Sequence, residues 1–460
     1  MDPAASAAAS ASRPDHLCVL VHGLWGNPQH LKFLNDSLRE AYPEDRLHIL
    51  VAKRNSGSFT YDGIELGGER LANEIEELLE ELARDGTHIK KLSITGYSMG
   101  GLIARYAIGL LFHKGLFDRI APVNFTTIAT PHLGVRTPLN GYHNHVWNVL
   151  GARTLSMSGR QLFTIDKFRD TGRPLLAVLA DPDSIFIQAL ARFKHRSLYA
   201  NIVNDRSAVY YTTSISRTDP FVQPDAIKIN YLRGYEPVIV DSDNPISAKK
   251  DEVLPTFHER LAASTRTVFS RMPVFAFLIV FIPIGTSLFL LNSAIQSVRS
   301  SQRIRQHEEG KAGIDVTGYR IPLIINDVRR EVEDMFEEMN NTQEQEYLPT
   351  GSEELASPPQ SPKASRPAPL RRSDSSSSAG SDVSLIKETK QGHAPDFPTL
   401  ALTADQFAMI QALDDVGFKK YPVYIHNHRH SHAAIIRRRT GKAFDEGRVV
   451  AKHWLNEFEI

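Results

Sequence analysis

Cysteine is almost absent from this chain. A single thiol, Cys18, occurs in 460 residues, which excludes an intramolecular disulfide framework and any zinc site built on cysteine. An excess of charge of either sign is also missing. Lys+Arg 53 balances Asp+Glu 53, so nothing in the overall charge suits a nucleic-acid partner held by general basicity. The first residues, MDPAASAAASASRPDH, have neither the basic start nor the long apolar run of a secretory signal. The expectation is a protein facing the cytosol, with no internal repeat. The 42% hydrophobic and 23% charged residues suit a globular chain with a sizeable core.

What is present is an alternation of short apolar runs with helical patterns. Leu17–Val21, Leu47–Ala52, Lys91–Thr95 and Val123–Thr130 are short and mostly apolar, as strands buried on both faces of a parallel sheet are. Between the second and third, Leu71, Ile75, Leu78, Leu79 and Leu82 form one stripe of a helix. The pattern predicts an α/β fold with a mostly parallel sheet and helices on both faces. After an unstructured start (1–14), this core is expected over 15–235. An insert follows at 236–337, then a disordered Ser/Pro-rich stretch at 338–398. Residues 399–460 are expected to return to the core, because one strand and one helix cannot bury a core alone.

The sharpest motif is Gly96-Tyr97-Ser98-Met99-Gly100, a G-x-S-x-G between a strand pattern and a helical one. Small residues on either side let strand and helix meet at a sharp turn, exposing a serine hydroxyl at the strand's end. Ser98 is therefore the candidate nucleophile, with the N–H of Met99 as one oxyanion donor at the start of a helix. The first strand runs into His22-Gly23-Leu24-Trp25-Gly26, a glycine-containing loop of the kind that supplies a second donor, assigned to Leu24. His22 and Gly23 are expected to line the substrate path. His22 precedes the nucleophile and is expected to fix the loop rather than act as base. No lysine follows these glycines, so a phosphate-binding P-loop is excluded.

The acid is expected after the strand-like Leu198–Val203, at Asp205, with Asp181 and Asp183 as competitors in a turn. The base must come from the C-terminal unit, where His426, His428, His430 and His432 recur at every second position. Alternation on a strand would put all four on one face and raises the question of a metal. No carboxylate or cysteine accompanies them in the run, so no metal and no cofactor are expected. His432, ahead of Ala433-Ala434-Ile435-Ile436, is the preferred base; His426 and His430 are the fallbacks.

From Met272 to Leu291 the chain carries no charge, and at ~1.5 Å per residue it could reach ~30 Å. A single crossing of a bilayer would strand Asp205 and His432 on opposite sides. The segment is therefore expected to re-enter or to lie in the interface, with Pro283 and Gly285 favouring a bend; a buried core helix or an active-site lid is the alternative. Lys249, Lys250, Arg266 and Arg271 precede it, and Arg299, Arg303 and Arg305 follow, which suits anionic headgroups on one face.

Taken together, VHGLWGNPQHL, SITGYSMGGLIARYAIG, ATPHLGVRTP, SGRQLFTIDKF, LYANIVNDRSAVYYTTSI and YIHN…HAAII resemble the fungal lipase/serine-esterase family of α/β-hydrolases. The resemblance covers about 15–235 and 415–458. It implies Ser98 as nucleophile, Asp205 as acid and His432 as base, with Thr130 and Pro131 lining the acyl site and His132 structural. It further implies hydrolysis of glycerophospholipid acyl esters at a lipid droplet or the cytosolic face of an intracellular membrane. The rival expectations are a neutral-lipid or monoacylglycerol lipase and, in a different class, an inert adaptor on a lipid surface.

Overall fold

The computed structural model describes residues 13–136, 156–248 apart from 206, 223, 225 and 226, 291–307 and 397–460. Six strands form one sheet: β1 (His16–Val21), β2 (Leu47–Val51), β3 (Lys91–Tyr97), β4 (Ala121–Ile128), β5 (His195–Asn201) and β8 (Lys419–Val423). Their order is β2-β1-β3-β4-β5-β8, and every neighbouring pair is parallel. A separate antiparallel pair, β6 (Ile227–Ile229) and β7 (Ile246–Ala248), lies outside this sheet. The architecture is that of an α/β-hydrolase, and the strand order reverses between β1 and β3. Crevices outside the carboxyl ends of strands at such a reversal are where open α/β sheets bind ligands.

The alternation of a strand is visible in β1. Leu17, Val19 and Val21 pack into the core on one face, while Cys18 and Leu20 pack into the core on the other. The first face is covered by α2 (Ile64–Arg84), α3 (Met99–His113), α5 (Ile185–Arg192) and α7 (Ala404–Val416), and the second by α1 (Lys32–Ala41) and α8 (Glu446–Glu457). Between α3 and α5 lies α4 (Ser156–Leu162). Each fully buried leucine or valine contributes about 1.5–3 kcal/mol, so the two-sided burial of these short strands explains why they read as continuous apolar runs. Cys18 is fully enclosed, and burial pushes its thiol pKa well up.

The C-terminal unit joins the same body. β8 pairs with β5, Asn201 opposite Val423, and α7 is opened by a reciprocal cap in which Thr403 Oγ1 accepts from Gln406 N and Gln406 Oε1 accepts from Thr403 N. Val238, Ile239 and Val240 lie beyond residue 235, yet they are buried; Ile239 bridges to Val423 and packs with Trp454 in the second core. The charge-free segment 272–291, except Leu291, and the Ser/Pro-rich stretch up to residue 396 lie outside the described residues. Among the described residues no helix is long and apolar enough to cross a membrane. One further helix, α6 (residues 291–307), is described.

Several buried histidines make the fold sensitive to acid. His16 is fully buried with Nε2 2.7 Å from Ser93 Oγ; burial and, second, Lys91 lower its pKa to about 4. Burial also drives that of His132 well down. The unfolded chain takes up these protons near pH ~6.5 while the native fold does not, so stability is retained above that pH and lost as pH falls toward 4. His16 alone should account for about 2 kcal/mol at pH 5. The expected result is a lower Tm at pH 5 than at pH 7, with a shallower fall in His16→Gln, measured by calorimetry.

Candidate active site

Ser98 sits between β3 and α3 with φ +55° and ψ −133°, a left-handed backbone that a non-glycine residue holds only under constraint. The constraint is the packing of backbone on backbone around it. A Cβ on Gly96 would stand 2.4 Å from Gly101 Cα, and one on Gly100 would stand 2.3 Å from Val21 O. The Ser98 N–H donates to Ile128 O (2.9 Å) and Thr130 Oγ1 donates to Ser98 O (2.9 Å), fixing the turn from β4.

The loop after β1 lies directly on the nucleophile. A Cβ on Gly23 would be 2.6 Å from Ser98 Cβ and 3.0 Å from its Oγ. Gly26 N–H returns to Gly23 O at 2.9 Å, so Leu24 and Trp25 form the crest of a tight turn, with Trp25 at φ +54°. Trp25 N–H donates to Thr60 Oγ1 (3.1 Å) and its indole N–H to Tyr61 Oη (2.8 Å). His22 is buried, with Nδ1 3.1 Å from Gly23 O and Nε2 3.4 Å from Ser56 Oγ. Met99 opens α3, where the first N–H groups have no carbonyl one turn back.

The structure brings Ser98, His432 and Asp205 together. His432 Nε2 is 2.9 Å from Ser98 Oγ, and His432 Nδ1 is 2.9 Å from Asp205 Oδ2. Both partners of the serine are buried, whereas Ser98 is partly open. Asp205 follows β5 and accepts from Asn201 Nδ2 at Oδ2 (2.8 Å) and from Ala208 N at Oδ1 (2.9 Å). Those two donors fix the carboxylate's orientation, with Oδ2 turned to His432 Nδ1. His432 is held at its backbone by Tyr97, whose hydroxyl donates to His432 O (3.0 Å) while the two rings lie 5.1 Å apart. Ser431 donates from Oγ to Val203 O (2.8 Å) and from N to Asn204 O (3.3 Å).

The other expected residues have different placements. β8 ends at Val423, so the histidines that follow are not on a strand and do not share one face. His426 pairs with Glu446 (Nδ1 to Oε1, 3.1 Å), and His428 and His430 meet each other 5.5 Å apart. Among the described residues no group of three His, Cys, Asp or Glu side chains is arranged to hold a metal ion. Asp181 pairs with Arg173 and caps Asp183 N–H (3.0 Å). Thr130 and Pro131, expected along the acyl site, are buried; the Thr130 hydroxyl supports the serine's own carbonyl. His132 is buried with Nε2 3.0 Å from Thr127 Oγ1.

Sequence reasoning missed Tyr97, Asn201 and Ser431. Alternation along β3 gives the signal for Tyr97: it lies on the opposite face from Leu92 and Ile94, where the C-terminal unit packs.

A six-stranded parallel sheet with a strained serine at the end of its third strand, a histidine beyond the last and an acid beyond the fifth defines the α/β-hydrolase class. Within that class, residues 11–217 match the family described as "Putative serine esterase (DUF676)". The resemblance to fungal lipases holds as well. "Putative lipase ROG1" of Saccharomyces cerevisiae is 30% identical over 241 residues, covering 50% of this chain and 33% of that protein. "Putative lipase YDL109C" of the same yeast is 31% identical over 256 residues, covering 50% of this chain and 38% of that one. "Putative lipase C4A8.10" of Schizosaccharomyces pombe is 26% identical over 254 residues, covering 52% and 32%. This chain thus spans about a third of the length of the curated relatives it matches. The family match includes Ser98 and Asp205 but ends before His432, whose position is given by the hydrogen bonds above.

The close approach at the elbow has a measurable consequence. In Gly96→Ala the new methyl would meet backbone atoms that cannot yield, at a cost of about 1–3 kcal/mol. A Tm several degrees below that of the parent, together with slower labelling of Ser98 by a fluorophosphonate, is the expected outcome.

Proposed function

We propose that this protein is a serine lipase that hydrolyses acyl esters of glycerophospholipids at a membrane or lipid-droplet surface. The observation that carries the reading is the continuous chain from Ser98 Oγ to His432 Nε2 and from His432 Nδ1 to Asp205 Oδ2, each step 2.9 Å. In this mechanism His432 takes the hydroxyl proton as Ser98 Oγ attacks the ester carbonyl. The imidazolium is stabilised by Asp205, and the negative oxygen of the tetrahedral intermediate is held by the N–H groups of Leu24 and Met99. Collapse expels the lysolipid alcohol, which receives the proton from His432 Nε2, and leaves Ser98 acylated. Water then attacks the acyl-enzyme and gives a proton to the same imidazole, which passes it to Ser98 Oγ as the fatty acid leaves.

Support for a lipid surface comes from the charge-free run Met272–Leu291, with Arg271 before it and Arg299 after it; Arg303, also expected at headgroups, is instead buried on Asp62. No step requires a metal or a cofactor.

Purified protein should hydrolyse phospholipid in mixed micelles and label with a fluorophosphonate, and Ser98→Ala should lose both. Asp205→Asn should retain its fold and drop in kcat by roughly 10³–10⁴-fold, since the amide cannot hold the imidazole in its working tautomer. Equal turnover by the Ser98→Ala protein would end the reading. A lipid-class panel separates the phospholipase from a monoacylglycerol or neutral-lipid lipase. A folded wild-type protein that neither labels nor hydrolyses would instead be an adaptor.

A further inference from the structure

Helix α6 (residues 291–307) packs with its polar side inward. Ser293, Gln296, Ser300 and Arg303 are buried, three or four residues apart along one side. Ser300 Oγ donates to Tyr61 O (3.3 Å), and Arg303 donates through Nε (2.8 Å) and a terminal nitrogen (2.6 Å) to the carboxylate of Asp62, as well as to Ser58 O (3.0 Å). That guanidinium also lies over the Phe59 ring (5.1 Å), and His307 pairs with Glu69. A buried ion pair and hydrogen bonds therefore hold the inner side of the helix.

The opposite side carries the apolar residues. Leu291 is 60% exposed, Ile295 44% and Val298 59%, spaced four and three apart so that they share one stripe. A soluble helix with its pattern in this orientation gains nothing from water. The stripe has two neighbours that identify its occupant. It begins where the charge-free run Met272–Leu291 ends, and Arg299, exposed, follows it directly. The whole helix holds three arginines and no acidic residue; Arg303 is the buried one, and it shares Asp62 with Arg70.

We propose that the Leu291, Ile295 and Val298 face of α6, with Arg299 at its margin, is the surface by which this protein rests on anionic phospholipid. An apolar stripe bordered by arginine matches the boundary between acyl chains and headgroups. The proposal deepens the lipid-surface esterase reading and rests on it for its purpose. The seat of α6 is the segment 57–62, whose Thr60 hydroxyl and Tyr61 hydroxyl accept the two N–H groups of Trp25. Segment 57–62 thus links α6 directly to the loop beside Ser98.

The test uses the full chain and sedimentation with vesicles of phosphatidylcholine and phosphatidylserine. Ile295→Glu and Val298→Glu change exposed side chains; each should lower vesicle partition about tenfold or more while fluorophosphonate labelling and hydrolysis of a soluble short-chain ester stay at the parent's level. Loss of binding on replacing phosphatidylserine with phosphatidylcholine alone would add support for the arginine margin. Unchanged partition in both variants overturns the proposal. So does a lowered Tm with unchanged partition, which would mean that the chain's own apolar run covers the stripe, or a parent that self-associates without lipid and variants that do not. A parent that binds vesicles through this face but hydrolyses no ester would sustain the docking surface and sink the esterase reading alone.

Discussion

The site depends on how closely main chain can approach main chain at the carboxyl end of β3. Gly96 and Gly100 bring the first turn of α3 against its own strand and against Val21 O at the end of β1. Gly23 then lets the following loop lie on Ser98 itself. A single additional carbon at any of these positions would force the pieces apart. The left-handed backbone of Ser98 persists because bonds from Ile128 O and the Thr130 hydroxyl hold both sides of the residue. Such strain is affordable only where the surroundings over-determine it.

The other half of the site arrives from the far end of the chain. Parallel pairing of β8 with β5 makes the ends of these two strands neighbours, so the loops that follow them emerge side by side. Asp205 and His432 meet for that reason, whatever length of chain separates them. Ser431 bonding to the carbonyls of residues 203 and 204 then sets the histidine's height, and Tyr97 sets it from the nucleophile's own strand. The imidazole is thus fixed by the backbone on each side of it, which leaves its two nitrogens for the serine and the acid.

Much of this was legible in the sequence because the signals were local. Strands buried on both faces must be short and apolar, and a serine at a strand-to-helix turn needs small neighbours. β1 to β5 and Ser98 follow directly. The choice among four alternating histidines was not local: it depends on β8 stopping at Val423, after which the chain leaves the sheet and period-two reasoning fails. Helix α2 also differs from its simple stripe, since Glu74 is buried and accepts the N–H groups of Lys53 and Arg54. Helix α6 inverts the usual inference, with arginine and serine inside and isoleucine and valine outside. Periodicity locates the stripe in such a helix but assigns it to the wrong side, because Asp62, which makes burial of Arg303 favourable, lies far away in the sequence.

The solitary thiol has a practical corollary. Cys18 is sealed in the sheet between β2 and β3, fully enclosed and held protonated, and a thiol in that state does not react with alkylating reagents. To such reagents the folded molecule is effectively blank. A cysteine introduced anywhere on its exterior can therefore carry a fluorophore or spin label by itself, with the native residue left in place and the packing of β1 undisturbed.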